Sequence, residues 1–202
     1  MSESDRNKWN LRYEQGEYAT RKHASAYLEE WLPKLQIKAL EPRAMDVGCG
    51  LGRNAIYLAR HGWKVVAVDI SEVALGTLQE TAAEEGLPIV CVQKDLERVT
   101  DVLGEPDMAG PHDLVLVVRY TNLSLIGTLG KVLNPGGYLI VEEHLDTEAQ
   151  VVGPREPRFR VRPGTLRAVA AGLEVIEHFE GIVEDPDGRQ AAVARLVARR
   201  AD

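Results

Sequence analysis

A glycine-rich stretch, DVGCGLGRN at residues 46–54, has the composition and spacing of a ligand-binding loop. Its three glycines, Gly48, Gly50 and Gly52, let the backbone approach a ligand closely and adopt conformations that other residues avoid. The dinucleotide fingerprint G-x-G-x-x-G would place its last glycine one residue later, where this chain has Arg53. The spacing therefore separates this loop from a standard dinucleotide-binding turn.

Two acidic residues accompany the loop. Asp69 ends the next apolar run, where a carboxylate can accept hydrogen bonds from both ribose hydroxyls of an adenosine. Dinucleotide enzymes share that feature, but Asp46, at the start of the loop, would repel a pyrophosphate and attract an ammonium or sulfonium group. The pair predicts a ligand that combines an adenosine with a positive charge and lacks phosphate. S-adenosylmethionine fits this description, and S-adenosylhomocysteine would then be the product of its reaction.

The elements that must position these residues are five short apolar runs that alternate with helical patterns. Short β-branched runs separated by helices are typical of parallel strands buried on both faces of a sheet. In such a sheet, ligands bind beyond the carboxyl ends of the strands, which is where the glycine loop would lie. The predicted strands are Ala44–Val47, Lys64–Ile70, Ile89–Val92, Asp113–Val118 and Tyr138–Glu142.

The C-terminal part has a different pattern. Two strand-like runs, Glu174–Phe179 and Gln190–Ala198, flank the turn-rich segment EDPDG and predict an antiparallel hairpin. Helices are expected over Leu123–Leu133 and over Leu166–Leu173. The fold class that follows is α/β, a Rossmann-like doubly wound sheet of seven strands, mostly parallel, with a C-terminal antiparallel hairpin.

We expect a single domain over residues 1–202. An N-terminal helical cap would occupy residues 1–40, the cofactor-binding core residues 41–145, and an acceptor loop, a helix and the terminal hairpin residues 146–202. The cap contains five aromatic residues that could either wall an acceptor pocket or pack the helices against the sheet. They are Trp9, Tyr13, Tyr18, Tyr27 and Trp31.

Composition and charge exclude several classes of protein. A net charge of −7 argues against a general nucleic-acid binder, which needs a basic surface. Cys49 and Cys91 lack the spacing of a metal site or a disulfide framework, so no metal is expected. Neither a membrane-spanning run nor a signal peptide is recognisable, which predicts a cytoplasmic location. We also expect a monomer or homodimer that acts on a small molecule.

Longer stretches resemble a known family. The sequence MDVGCGLGRNAIYLARHGWKVVAVDIS resembles the motif I and II region of class I S-adenosylmethionine-dependent methyltransferases, and NPGGYLIVEEH resembles the segment that leads into their fifth strand. The segments GRN, TRKH, RPGTLR and LVARR are similar to the tellurite-resistance, TehB-like group, which is related to thiopurine methyltransferases. The resemblance covers nearly the whole chain. It implies methyl transfer to a small molecule, such as a chalcogen oxyanion (tellurite or selenite) or a thiol.

The same resemblance implies roles for individual residues. The glycine loop would line the methionine part of the cofactor, the acids after the second and third strands would hold the ribose and the adenine amino group, and the end of the fourth strand would face the methyl group. The implied cofactor contacts are Asp46, Gly48, Gly50, Gly52, Asn54, Asp69, Ile70, Asp95, Leu96 and Arg119.

The chain departs from the tellurite-resistance group at two places on the acceptor side. Thr165 stands where that group usually has a glutamate, and Val183-Glu184 stands where it tends to have a His-Arg pair. Both departures leave the methyltransferase assignment intact and weaken the case for tellurite or selenite as the acceptor.

Acceptor binding is expected from Tyr120 and from an arginine row. If the segment RFRVR is extended, Arg158, Arg160 and Arg162 share one face and could hold an anionic substrate by charge-assisted hydrogen bonds. The alternative is a solvated strand face, paired with acids of the C-terminal hairpin.

Catalytic candidates are few, because methyl transfer from a sulfonium mainly requires alignment and exclusion of water. A general base is needed only if the attacking atom carries a proton at neutral pH. His23 and His144 are expected near the ligand, as is Arg119, and these three are the candidates for catalysis. Structural roles for the histidines remain the alternative.

Two other functions compete with methyl transfer. An NAD(P)-dependent reductase is disfavoured by the glycine spacing, by Asp46 and by the lack of a second catalytic domain. A non-catalytic protein of the same fold that only binds the cofactor is not excluded by any residue pattern.

Overall fold

The computed structural model describes residues 3–185 and 188–202, and a seven-stranded sheet runs through its centre. The strands are β1 (Arg43–Val47), β2 (Lys64–Asp69), β3 (Ile89–Gln93), β4 (His112–Val118), β5 (Leu133–His144), β6 (Glu174–Glu184) and β7 (Gln190–Arg199). The helices are α1 (Glu3–Glu14), α2 (Ala26–Trp31), α3 (Arg53–Arg60), α4 (Glu72–Glu85), α5 (Leu123–Leu129) and α6 (Thr165–Val169).

The strand order is β3-β2-β1-β4-β5-β7-β6. The first five strands in this order are parallel, and β7 lies antiparallel to both β5 and β6. The predicted fold class and the predicted C-terminal hairpin are therefore confirmed. Pro186 and Asp187, which belong to the predicted turn of that hairpin, lie outside the described residues.

The chain leaves β1 toward β2 on one side, and β4 lies on the other side of β1. This reversal of strand order opens a crevice beyond the carboxyl end of β1, which is where open α/β sheets bind ligands. The glycine loop follows Val47, the last residue of β1, so it lies at this crevice.

Each face of the sheet is covered by its own hydrophobic cluster. Leu125 of α5 and Leu166 of α6 pack on one face. Leu28 of α2, Leu58 of α3 and Leu78 of α4 pack on the other. All five side chains are fully buried. Because helices cover both faces, the central strands read as continuous apolar runs, and their carboxyl ends are held in fixed positions.

The two N-terminal helices have different partners. In α2, the Tyr27 hydroxyl and the Trp31 indole nitrogen both donate to Glu177 of β6, at 2.9 and 3.1 Å, so this aromatic pair packs against the sheet. Helix α1 lies against α4, where the Ser71 hydroxyl donates to the Asn10 side chain at 2.7 Å. None of the helices in the described residues is both long and apolar enough to cross a bilayer.

The predicted extended row over RFRVR is wrong. Residues Pro157–Phe159 form one turn of 3-10 helix, begun by the fixed φ of the proline, and only Val161 pairs with a strand neighbour, Leu145. Arg158, Arg160 and Arg162 therefore do not share a strand face.

Two predicted helices are shorter than expected. The helix from Leu123 ends at Leu129, and a 3-10 turn, Gly130–Val132, leads directly into β5. Helix α6 ends at Val169 rather than at Leu173. Both predictions rested on the spacing of apolar residues. A glycine, which has low helix propensity, lies within each predicted helix: Gly130 in the first and Gly172 in the second.

Candidate active site

A cavity of about 570 Å³ opens beyond the carboxyl ends of the parallel strands. This volume is within the range of small-molecule and cofactor sites. We divide it by the strand order. The β1–β3 half contains Gly48, Gly50, Asp69, Ile70, Leu96 and Glu97, and the β4–β5 half contains Val118, Arg119, Tyr120, Thr121 and His144. We assign Arg53, at the start of α3, and Arg21 to the β4–β5 half as well, because the charges of Arg119 and Arg21 act on Arg53. Residues of α1 and of the segment 152–156 close the cavity from above.

The glycine loop is in direct contact with two tyrosine side chains. A Cβ at Gly48 would lie 2.6 Å from the Tyr120 ring, and a Cβ at Gly50 would lie 2.7 Å from the Tyr13 hydroxyl. Both glycines have positive φ, which other residues rarely adopt. Gly52 faces elsewhere, since its Cβ would lie 2.3 Å from Leu78 of α4. Gly48 and Gly50 therefore let two tyrosine side chains pack against the loop at the cavity, and Gly52 lets α4 pack closely.

Asp69 lies at the end of β2 with its carboxylate on the cavity wall. One oxygen accepts from the Gly50 backbone N–H at 2.8 Å, and the other accepts from the Ser71 N–H at 2.9 Å. Burial raises the pKa of this carboxyl above its ordinary value, while the two backbone donors oppose the rise. The carboxylate is thus fixed in orientation, and each oxygen keeps a lone pair for a ligand hydroxyl.

Asp46 lies beneath the glycine loop rather than on the cavity wall. It is 1% exposed, and its Oδ2 has no hydrogen-bond partner among the described residues. Burial raises its pKa to about 7, opposed by the charge of Arg53 and by the Ala55 N–H. A cation bound at the loop would shift this group to its ionised form. The unpartnered carboxylate and the glycine-lined wall both fit a ligand with an adenosine and a positive charge.

The residues after β3 differ from the expectation. Leu96 and Glu97 line the cavity, and Ile70 lies across from them after β2. Asp95 is absent from the lining formed by the described residues, since its carboxylate accepts from the Glu97 N–H at 3.2 Å and pairs with Arg98 at 3.3 Å. The predicted adenine contact of Asp95 therefore has no support from this geometry.

Asn54 and His23 also lie away from the cavity in the described structure. The Asn54 side chain is buried and accepts from the Ser25 N–H at 2.8 Å, which ties α3 to the start of α2. His23 is exposed, and its carbonyl accepts from Arg53 at 2.9 Å. Both residues hold the N-terminal segment in place, and neither the predicted cofactor contact of Asn54 nor the predicted catalytic role of His23 has geometric support.

Arg119 follows β4 in a left-handed backbone conformation, with φ of 59°. Its guanidinium makes a bidentate pair with Asp185, at 2.7 and 3.2 Å, and its Nε pairs with Glu142 at 3.3 Å. The other oxygen of Glu142 accepts from Arg195 at 2.9 Å. Acids therefore balance the charge of Arg119 and hold its side chain at the cavity wall.

Tyr120 links the two halves of the cavity. Its ring covers Gly48, and its hydroxyl donates to Glu97 at 2.8 Å. Glu143, which is fully buried, accepts from the Tyr120 N–H at 3.1 Å and from the Thr121 hydroxyl at 2.7 Å. Burial raises the pKa of Glu143 to about 8. These contacts fix the turn that carries both Arg119 and Tyr120.

His144 lies at the end of β5, on the cavity wall. It is 8% exposed, and burial, followed by the charges of Arg119 and Arg160, lowers its pKa to about 3. The imidazole is therefore neutral at pH 7, and a group with so low a pKa is a poor general base. Of the two predicted histidines, only this one reaches the cavity in the described residues.

None of the predicted arginine row lines the cavity in residues 3–185 and 188–202. Arg160 donates to the carbonyls of Pro154 and Leu145, both at 2.7 Å, and so fastens the segment above the cavity. Arg158 pairs with Glu156 at 2.8 Å in solvent, and Arg162 is exposed. The prediction that these three residues bind the substrate directly has no geometric support.

Sequence reasoning left open whether the N-terminal aromatic residues wall the cavity, and it did not identify Arg21 and Arg53 as part of the lining. Trp9, Tyr13 and Tyr18 form one aromatic cluster over the cavity, with ring centroids 5.9–6.5 Å apart. Arg21 lies over the Tyr18 ring at 5.0 Å and also faces the cavity. The helical spacing of Trp9 and Tyr13 had marked this cluster, but spacing alone does not tell a pocket wall from a packing face.

Comparison with known proteins agrees with this geometry. Residues 44–137 match the model of a family described as a methyltransferase domain. The chain is 36% identical over 104 residues to the ubiquinone biosynthesis O-methyltransferase of Caulobacter sp. (strain K31), a match that covers 49% of this chain and 39% of that protein.

A second relative matches over more of the chain. The probable S-adenosyl-L-methionine-dependent methyltransferase TehB of Haemophilus influenzae is 25% identical over 170 residues, which cover 81% of this chain and 59% of that protein. The chain thus spans between about four-tenths and six-tenths of the length of these two relatives.

The crystal structure of TehB from Haemophilus influenzae superposes with a TM-score of 0.70 and 23% sequence identity, and the match covers 94% of this chain and 66% of that one. At this identity the superposition shows a shared fold. Residues 44–137 therefore form a methyltransferase domain, and over most of its length the chain is similar to a probable S-adenosyl-L-methionine-dependent methyltransferase.

Proposed function

We propose that this chain transfers the methyl group of S-adenosylmethionine to a small acceptor that reacts as an anion, either a chalcogen oxyanion or a thiolate. The observation that carries this proposal is the charge of the β4–β5 half of the cavity. Arg21, Arg53 and Arg119 meet there in a chain whose net charge is −7. A cationic half-cavity beside the cofactor attracts negatively charged small molecules.

The cofactor would be held by the β1–β3 half. Asp69 would accept from the ribose hydroxyls, and Ile70 and Leu96 would pack against the adenine. The backbone at Gly48 and Gly50 would adjoin the methionine part, with the buried charge of Asp46 below it. When bound, the cofactor would supply a methyl group activated by its sulfonium.

The remaining work falls to the chain's own residues. Tyr120, fixed by Glu143 and Glu97, would set the position of the acceptor relative to the glycine loop. The aromatic cluster of α1 would exclude water from the cavity. No side chain has to remove a proton from an acceptor that enters as an anion, which agrees with the low basicity of His144.

The test is a turnover screen with methyl-labelled cofactor against selenite, tellurite, small thiols and phenols. We expect transfer to the oxyanions or the thiols, and loss of transfer in Asp69→Ala. Calorimetry with S-adenosylhomocysteine and with NADH accompanies the screen. Tight binding of NADH without binding of S-adenosylhomocysteine would favour a reductase, and cofactor binding without turnover on any acceptor would favour a non-catalytic binding protein.

A further inference from the structure

Two arginines of the β4–β5 half have no acidic partner. Arg53 uses one nitrogen to donate to the His23 carbonyl at 2.9 Å, and Arg21 contacts only the Tyr18 ring. Neither makes an ion pair with a carboxylate in residues 3–185 and 188–202. Arg119, by contrast, is balanced by Glu142 and Asp185. Among the described residues of the β4–β5 half, Arg53 and Arg21 are therefore the cations that no ion pair balances, and Lys8 and Arg155 add positive charge elsewhere on the lining.

These cations lie close enough to affect one another. Burial lowers the pKa of Arg53, and the neighbouring charges of Arg119 and Arg21 lower it further, against the opposing charges of Glu142 and Asp46. Like charges that face a common cavity repel each other, and a bound anion removes that repulsion. The planar guanidinium also presents two parallel N–H donors, which match the two oxygens of an oxyanion.

His144 adds an independent observation. The ring is more than nine-tenths buried, and its Nδ1 is enclosed without a hydrogen-bond partner among the described residues, next to Gly153. A buried N–H without an acceptor is rarer than an acceptor without a donor, so the proton of the neutral ring belongs on Nε2. The ring then offers one N–H donor from the cavity wall.

We propose that Arg21, Arg53 and His144 form an anion subsite that binds an oxyanion group of the methyl acceptor. This assignment deepens the proposed function and rests on it. The subsite follows the glycine loop directly, because Arg53 is the residue after Gly52, so an anion held there lies beside the cofactor. Two sources share this chemistry, an inorganic chalcogen oxyanion and the carboxylate of a small thiol acid.

The experiment is calorimetry on the protein, alone and saturated with S-adenosylhomocysteine. Three probes separate the sources: inorganic sulfite, 3-mercaptopropionate, and 2-mercaptoethanol as the neutral thiol. We expect sulfite or 3-mercaptopropionate to bind, with an affinity that falls as salt rises, and 2-mercaptoethanol to bind at least about tenfold more weakly. Sulfite alone would point to an inorganic acceptor, and 3-mercaptopropionate alone to an organic acid.

Variants locate the subsite. Arg53→Gln and Arg21→Gln should each lower the affinity for the anion by about tenfold, and His144→Leu should lower it by a smaller factor. The affinity for the cofactor should stay unchanged in all three variants. The matched control is Arg60→Gln, which removes an exposed arginine of the same helix that pairs with Glu85. Arg21 is exposed, so its replacement leaves the folded core intact.

The outcomes separate the two proposals. If S-adenosylhomocysteine binds but no anionic probe does, or if Arg60→Gln weakens the anion as much as Arg53→Gln and Arg21→Gln do, the subsite is overturned and the proposed function stands. If the wild-type protein does not bind S-adenosylhomocysteine, the proposed function fails, and the probe titrations on the protein alone still decide whether the anion site exists.

Discussion

The β1–β3 half of the cavity is built mainly from backbone, whereas the β4–β5 half is built from charged side chains. Asp69 is held by two backbone N–H groups, and the walls beside it are glycines and apolar residues. In the other half, Arg119 is held by Glu142 and Asp185, and Arg160 by carbonyls of the segment above. A wall built from backbone depends little on side-chain identity. Proteins that bind the same cofactor can therefore share a glycine motif that is recognisable in the sequence. Side-chain walls can change with the acceptor.

The largest test of this contrast is Asp69→Ala. We expect S-adenosylhomocysteine to bind about 100-fold more weakly, because two charge-assisted hydrogen bonds of about 1.5 kcal/mol each are lost. Calorimetry measures the change, and circular dichroism checks the fold. The matched variant is Asp95→Asn, whose side chain lies in a turn outside the cavity lining, and it should change the affinity less than twofold. Equal losses in the two variants would contradict the division of roles.

A pH test separates the two halves through their buried groups. Glu143 has a folded-state pKa of about 8, above its ordinary value of 4.5, so the folded protein keeps a proton that the unfolded chain releases. Stability therefore falls as pH rises through this window, by at most about 1.4 kcal/mol per pH unit. Urea unfolding across the window should show a shallower fall in Glu143→Gln than in the wild-type protein.

Other buried groups also contribute to that measurement, among them Asp69, whose pKa is raised, and His112, whose pKa burial lowers. Asp46, with its pKa raised to about 7, acts in the same direction and leaves a residual slope in Glu143→Gln. His144, with its pKa lowered from 6.5 to about 3, acts oppositely, since the unfolded chain takes up a proton first and stability is lost as pH falls through that range. If stability falls with pH equally steeply in Glu143→Gln and in the wild-type protein, Glu143 does not contribute to the pH dependence of unfolding.

Asp185→Ala tests whether the β4–β5 half depends on its ion pairs. Without its bidentate partner, Arg119 should leave the cavity wall, and the acceptor KM should rise about tenfold while cofactor affinity stays the same. The control is Asp202→Ala, which removes a similar arginine pair, with Arg199 at 3.0 Å, at the C-terminus. A matching loss of cofactor affinity would mean that the two halves are not separable.

The smallest effects compare two arginines of the segment above the cavity. Arg160→Gln should raise the acceptor KM a few-fold, because two backbone carbonyls lose their donor. Arg158→Gln should change it less than twofold, since its pair with Glu156 is in solvent. Steady-state kinetics measures both, and a larger effect at Arg158 would restore the direct substrate contact that the extended-row prediction implied.

The fold and the β1–β3 half could be predicted because their signals are local. Strand runs, helix caps and glycine spacing each act within a few residues, and Asp69 follows from its place at the end of a strand. Leu96 and Ile70 were expected at the cofactor from the family resemblance, and both line the cavity.

The β4–β5 half could not be predicted in the same way, because its contacts join distant parts of the chain. Arg119 pairs with Asp185 and with Glu142, across separations that no sequence pattern encodes. Asp95 and Glu97 lie in the same turn, and the sequence does not show which of the two side chains faces the cavity. The prediction of an extended arginine row is wrong because Pro157 begins a 3-10 turn and Arg160 donates to backbone carbonyls, so the segment does not have the alternating side-chain directions of a strand.

The seating of α1 has a consequence for how long ligands stay bound. Tyr13 contacts the glycine loop, and Asn10 anchors the same helix at Ser71. A cofactor bound beside Gly50, as proposed above, would meet the Tyr13 hydroxyl, so we expect it to dissociate only after this helix lifts. Residence time is then set by one opening event, so cofactor and product should share a single release rate constant. Removing the Asn10 anchor would speed that release and cost affinity, without altering any group that touches the reacting atoms.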